Sequence, residues 1–171
     1  MFTEDRPRSL MVRHPVLLSM AAGLVAGAVA AGSDKLLDRL VSAKQKRRDR
    51  RVREAPAHQM AGPYFASKVL GRRLDSAEKK RARAAFGVLY GVGWGVIHSR
   101  LTRTFPILTR WGGLPFAVPF FCACDGMIAP ALGVSPGLRR IPWQPSAKEL
   151  CNHIAWTAAA ELVHRVAGDK R

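Results

Sequence analysis

The sequence has few cysteines, and several familiar signatures are missing. Its three cysteines, Cys122, Cys124 and Cys151, all fall in apolar stretches. That pattern suits small buried residues rather than a disulfide framework. No Cys/His spacing is tight enough for zinc: Cys122 and Cys124 project to different sides of a helix, and His153, Glu161 and His164 do not form H-E-x-x-H. There is no G-x-S-x-G, phosphate loop or dinucleotide fingerprint, and no repeat of solenoid length. The expectation is a chain with no metal, no cofactor and no enzymatic activity.

Carboxylates are scarce as well, with 12 Asp and Glu against 28 Lys and Arg and a formal net charge of +16 over 171 residues. Such a surplus points to nucleic acid, an anionic membrane surface, or a cytoplasmic loop of a membrane protein. Position separates these readings. Sixteen of the basic residues lie between Asp34 and Arg83, and the rest are scattered in small groups. The remainder of the chain is dominated by apolar runs, and the whole sequence, 48% hydrophobic, suits one compact domain or a four-span bundle.

Those runs set the organisation. Residues 1–14 read as a flexible tail. Pro15–Gly32 is uncharged and spans about 27 Å as a helix. Pro15 suits the first turn, where its missing N–H has no partner to lose. A cleavable leader over Met11–Ala31 is the weaker alternative, because further apolar segments follow. Residues 33–83 form a basic loop containing an amphipathic helix, with Leu36, Leu37, Leu40 and Val41 at helical spacing. Residues 55–74 read as loop with at most a short helix, and Asp75 with Glu78 reads as a capping box. Residues 84–99 form a short second span whose flanking Arg81 and Arg83 would snorkel. Residues 111–134 form a third, interrupted by Pro115 and Pro119 and ended or kinked at Pro130. Residues 135–149 are a Pro-rich loop with Trp143 as an interface anchor, and 150–168 are the fourth span. The fold expected is all-α, an integral membrane bundle of about four transmembrane helices plus a basic amphipathic juxtamembrane helix.

Two kinds of residue within this plan carry chemistry. Gly23 and Gly27 in the first span, and Gly87, Gly91 and Gly95 in the second, recur every fourth residue. Each set makes one face where another helix can approach closely. Asp34 and His98 each follow a stripe glycine by eleven residues, so they lie in line with those faces. The ionisable residues inside the spans are the second kind. Asp125 is the single acid of the third span, and His153, Glu161 and His164 share one stripe of the fourth. Ionisable groups are costly in lipid and turn towards protein or water. Asp125, His153, Glu161 and His164 are therefore expected to meet in a polar seam. It either locks helix register, the favoured reading, or relays protons, binds a cation or binds a polar ligand.

The dense basic block supplies Lys44, Lys46, Arg47, Arg48, Arg50, Arg51 and Arg53. Beside a span, its better reading is contact with anionic lipid headgroups rather than nucleic acid.

The C-terminal half, DGMIAPALGVSP followed by IPWQPSAKELCNHIAWTAAAELVHR, resembles the YagU-like family of bacterial inner-membrane proteins of unknown function, with Asp125, Pro130, Gly133, Ser135, Pro136 and His153 at matching places. Span one, GLVAGAVAAGSDKLLD, is similar to that family's first helix, whereas the long basic segment departs from it. The resemblance implies a small helical protein of the bacterial inner (cytoplasmic) membrane, and the family's loose link to acid tolerance implies no mechanism.

With four spans the termini share a side. The loops 33–83 and 135–149 hold 19 Lys and Arg against nine elsewhere, which places those loops in the cytoplasm and the termini outside. The leading function is a non-enzymatic structural, stress-related or transport-accessory role. The alternatives are a proton- or ion-coupled channel or transporter subunit and, further off, a peripheral nucleic-acid-binding protein. Expected partners are the bilayer and its anionic headgroups, with a second copy of the chain or other membrane proteins as further candidates.

Overall fold

The computed structural model describes residues 14–169, and they form an all-helical fold. The sequence-expected flexible tail lies outside the described residues, apart from His14. In chain order the helices are α1 (Pro15–Asp38), α2 (Ala43–Val52), α3 (Ala57–Leu70), α4 (Ser76–Thr104), a 3₁₀ turn (Pro106–Thr109), α5 (Arg110–Phe121) and α6 (Trp143–Val166). A π-helical turn (Cys122–Ile128) and one closing turn (Ala129–Ala131) extend α5. The four long segments run back and forth through one bundle. Helix α1 packs on both α6 and α4, α5 packs on α6, and α3 lies against α4.

Small residues decide the centre of the bundle. A Cβ on Gly23 would lie 2.0 Å from the Gly91 carbonyl oxygen, and one on Gly95 would lie 2.3 Å from the Ser19 carbonyl. Gly23, Gly91 and Gly95 thus let the backbones of α1 and α4 touch, as small-residue stripes do in membranes. Gly27 and Gly87, one turn further along, would meet nothing within 4 Å. The helices splay apart there, so these two are not packing residues. A contact not foreseen is Gly62 of α3, whose Cβ would come 2.4 Å from the Ala82 carbonyl of α4.

Several boundaries differ from the sequence reading. Helix α1 continues through Leu37, so residues 33–54 are not one amphipathic helix; Ser42 starts α2 afresh by accepting from the Gln45 N–H. Helix α2 buries only Gln45 and is tied down by the ion pairs Lys46–Asp38 and Arg53–Glu149 instead of an apolar stripe. Residues 57–70, read as mostly loop, form α3 despite Pro63 in its interior. Pro63 has no N–H for the Gln59 carbonyl one turn back, and Arg83 Nε donates to that oxygen at 2.9 Å. Arg83 is therefore a helix-to-helix tie rather than a snorkelling residue. Arg83→Met should remove this bond and lower stability by up to about 1 kcal/mol, read as a lower melting midpoint in detergent; the Arg81→Met variant serves as control.

Helix α4 begins eight residues before the expected span because Asp75 and Glu78 form a reciprocal capping box. Bonding to Arg72, then to the Asp75 backbone, lowers the Glu78 pKa to about 2. At the start of α5, Trp111, Gly112 and Gly113 are all left-handed, so the regular helix begins only at Leu114. Gly113 is needed twice, for its φ of +86° and because a Cβ would lie 2.4 Å from Thr157 Cγ2.

The exposed surface of the long helices is apolar. In α1 the buried residues are Leu18, Ser19, Ala22, Gly23 and Ala26, while Val16, Leu17, Leu24, Val25 and Val29 are exposed. Two segments, Pro15–Asp38 and Pro106–Ala131, are long and apolar enough to cross a membrane, and only 28% and 39% of their apolar windows are buried. A core helix of a water-soluble domain would show the reverse ratio. Trp111 and Trp143, at opposite ends of the bundle, are 81% and 68% exposed, as interfacial anchors are.

Candidate functional site

The ionisable residues gather at two levels, not one. At the end holding α2, α3 and the start of α6, Lys148 Nζ lies 2.8 Å from Asp34 Oδ1, to which Asn152 Nδ2 also donates at 3.0 Å. Beside them, Glu149 sits 3.8 Å from Arg53, 3.6 Å from His58 and 4.0 Å from Lys148. One turn deeper, His153 Nε2 faces Asp125 Oδ2 at 3.4 Å, while His153 Nδ1 bonds the Glu149 carbonyl oxygen at 2.8 Å. Asp125 reaches this place through the π-helical turn, in which the Ala129 N–H reaches back to the Cys124 carbonyl. Pro130 has no N–H to donate to Gly126, so regular α-helical bonding is interrupted at the end of this turn.

Glu161 and His164 belong to the other level. Glu161 Oε1 pairs with His98 Nε2 at 3.1 Å, and His164 Nδ1 meets Asp169 Oδ2 at 3.0 Å, with Arg103 on the same carboxylate at 3.1 Å. His153 and Glu161 are eight residues apart on α6, about 12 Å at helical rise. An aromatic layer fills the interval: Phe120 to Trp156 is 5.3 Å between ring centroids, and His98 to Phe116 is 4.7 Å. The structure thus joins Asp125 to His153 and Glu161 to His98, but does not bring the four expected seam residues into one cluster. The polar stripe of α6 is turned inward, with Thr157, Ala160, Glu161 and His164 buried and Ala158, Leu162 and Val166 exposed.

The basic block also divides. Lys44, Arg47, Arg48, Arg50 and Arg51 are exposed. Lys46 pairs with Asp38 at 2.6 Å, and Arg53 is buried with Asp49 and Glu149. Arg53 therefore does not reach towards headgroups: a carboxylate of α6 draws it inside. Cys122 and Cys151 are exposed on the apolar exterior and only Cys124 is buried. Among the described residues, no group of three His, Cys, Asp or Glu could hold a metal.

Between the splayed halves of α1 and α4 lies a cleft of about 580 Å³, lined by residues that include Gly27, Gly87, Tyr90 and Phe120, with Asp125 and Glu149 among its polar groups. His58 stands at this cleft, its ring half exposed to the open side and enclosed by protein elsewhere. Enclosure pulls its pKa down, but attraction to Glu149 outweighs this and leaves it above the usual 6.5. A raised folded value stabilises fully below 6.5, and the contribution is lost as pH rises through it. Thermal stability in detergent should thus decline as pH rises above about 6.5, and His58→Gln should flatten that slope.

The fold defined so far is an all-helical protein with two helices able to cross a membrane and ionisable pairs turned into the bundle. No family model matches the sequence, and no solved structure matches it. A stretch of 80 residues, 47% of the chain, is 25% identical to the inner membrane protein YagU of Escherichia coli (strain K12). The matched stretch spans 37% of that relative's length. The chain is thus similar, at a distance, to a bacterial inner membrane protein.

Proposed function

We propose that the chain is a non-enzymatic, four-span protein of the bacterial inner membrane with a structural, stress-related or transport-accessory role. Its crossings would be the central parts of α1, α4, α5 with its extensions, and α6. The observation that carries this is the surface of α1, where Ser19, Ala22, Gly23 and Ala26 join Leu18 on the buried face while Val16, Leu17, Leu24, Val25 and Val29 face outward. That arrangement is stable where lipid is the outer solvent. The bundle's two ends agree with it. Ser42 N donates to Gln144 at 2.9 Å and Lys148 reaches Asp34, so both basic loops share one end. Arg103 and Asp169 meet at the other. The positive-inside rule then puts the basic loops in the cytoplasm and the termini outside. Exposed Lys44, Arg47, Arg48, Arg50 and Arg51 of α2 would lie against anionic headgroups.

The register-locking reading of the buried pairs is favoured over ion or proton transport, because the aromatic layer separates the two ionisable levels. Fractionation tests the assignment. The protein should stay in the membrane pellet through high salt and alkaline carbonate and leave it only in detergent. Release by salt, with nucleic acid binding that falls steeply as salt rises, would favour the peripheral alternative.

A further inference from the structure

We propose that the cleft between α1 and α4 holds one acyl chain of an anionic phospholipid from the cytoplasmic leaflet, its phosphate resting on Lys35 and Lys80 at the rim. Such a site rests on the membrane reading above and adds to it a defined lipid with a defined seat.

The contact of α1 with α4 sets the register of the cleft. Gly23 packs on Gly91, and Ser19, one turn earlier in α1, packs on Gly95, one turn later in α4, so the two helices are antiparallel. Each turn towards the basic end therefore matches a later residue of α1 with an earlier one of α4. Gly27 and Gly87 come first, then Ala31 and Ala84, then Lys35 and Lys80, and all six line the same space. From Gly91 to Lys80 is eleven residues, about 16 Å at helical rise. That is close to half of a hydrocarbon core roughly 30 Å thick. The cleft has the depth of one leaflet, with its cations at the headgroup end.

The walls suit a chain and the rim suits a phosphate. Phe65, Phe86, Tyr90 and Phe120 follow one another along the cleft with centroid separations of 5.9, 5.5 and 6.4 Å. An unfilled groove forfeits dispersion contacts that methylene groups would supply. The carboxylates of the inner wall are already matched, Glu149 by Arg53 and Lys148, Asp34 by Lys148, and Asp125 by His153. The rim cations are not. Lys35 and Lys80 are exposed and have no ion-pair partner among the described residues. Arg83, whose Nε is held by the Gln59 carbonyl, adds a third positive charge to this rim. Basic pockets between spanning helices on the cytoplasmic side take anionic headgroups. A zwitterionic head brings its own ammonium to the same cations and loses much of the attraction.

The test uses the full chain in neutral detergent, carrying Trp111→Phe and Trp143→Phe. These are the two exposed tryptophans of the four. The remaining pair reports on the cleft, since Trp156 lines it and Trp94 packs on Tyr90 and Phe120. Phosphatidylglycerol and phosphatidylcholine with identical brominated chains are titrated in, and bromine quenches nearby tryptophan. Phosphatidylglycerol should quench saturably, with an affinity about tenfold above that of phosphatidylcholine. Glycerol phosphate in millimolar excess should not displace it, because the chain is held as well as the head. Lys35→Gln with Lys80→Gln should remove most of the preference, whereas Lys44→Gln with Arg51→Gln on α2 should leave it intact. Gly87→Leu fills the cleft from an open helix position and keeps both lysines, so it should weaken binding of either lipid about tenfold. Equal affinities, displacement by glycerol phosphate, loss of the preference from the α2 pair instead, or undiminished quenching in Gly87→Leu would each overturn the proposal. Any of these in a protein that leaves the membrane only in detergent would sink the lipid site and leave the membrane reading standing.

Discussion

Replacing Gly23 with leucine is expected to be among the most damaging changes in the chain. The first carbon of the new side chain would lie 2.0 Å from the Gly91 carbonyl oxygen and 2.9 Å from Gly95 Cα, both backbone atoms that cannot rotate away. Helices α1 and α4 would have to part, and overpacking of this kind costs about 3 kcal/mol or more. The effect should appear as early thermal aggregation in detergent. Gly27→Ala is the matched control: the position is open, so its effect should stay within about 0.5 kcal/mol. Equal damage from both would show that the two glycines share one packing face after all.

The second large effect is expected at Glu149. Arg53 has a side chain only 3% exposed, with Asp49 at 2.8 Å and Glu149 at 3.8 Å. Glu149→Leu removes one partner and leaves a buried guanidinium undercompensated, at a cost of about 3 kcal/mol. Arg53→Met in the same background removes that stranded charge and should recover at least about 1 kcal/mol. On its own, Arg53→Met should destabilise clearly, whereas Arg51→Met, at an exposed neighbour, should change stability by less than about 0.5 kcal/mol. If Arg53 served as a headgroup contact, the two arginine variants would behave alike.

These residues also show what the sequence could and could not reveal. The inward stripe of α6 and the Asp75–Glu78 cap were legible because helical geometry and local hydrogen bonding depend on nearby residues alone. Asp34 and His98 are singled out by their alignment with the small-residue faces; Asp34 is paired with Lys148, and His98 Nε2 lies 3.1 Å from Glu161. What was not legible depends on distant neighbours. Arg53 sits in a run of similar cations, and only the position of Glu149, far along the chain, distinguishes it from Arg51. Gly23 and Gly27 look alike in sequence, yet the splay of α1 from α4 makes one a contact and the other a cleft wall. Helix α3 was concealed by Gly62 and Pro63, which ordinarily break helices. The close fit on Ala82 and the donor from Arg83 account for both. The separation of Glu161 and His164 from Asp125 was hidden because a shared stripe fixes direction around a helix but not which neighbour stands at each level.

If lipid surrounds the four long helices, as proposed, residues at the two ends of the bundle face opposite sides of the membrane. Single cysteines at Lys44, Ile107 and Arg139, placed in a background with Cys122, Cys124 and Cys151 replaced, test this with a membrane-impermeant thiol reagent on intact spheroplasts. Ile107→Cys should be labelled at once, and Lys44→Cys and Arg139→Cys only after permeabilisation. Labelling of all three on the same side would contradict the four crossings.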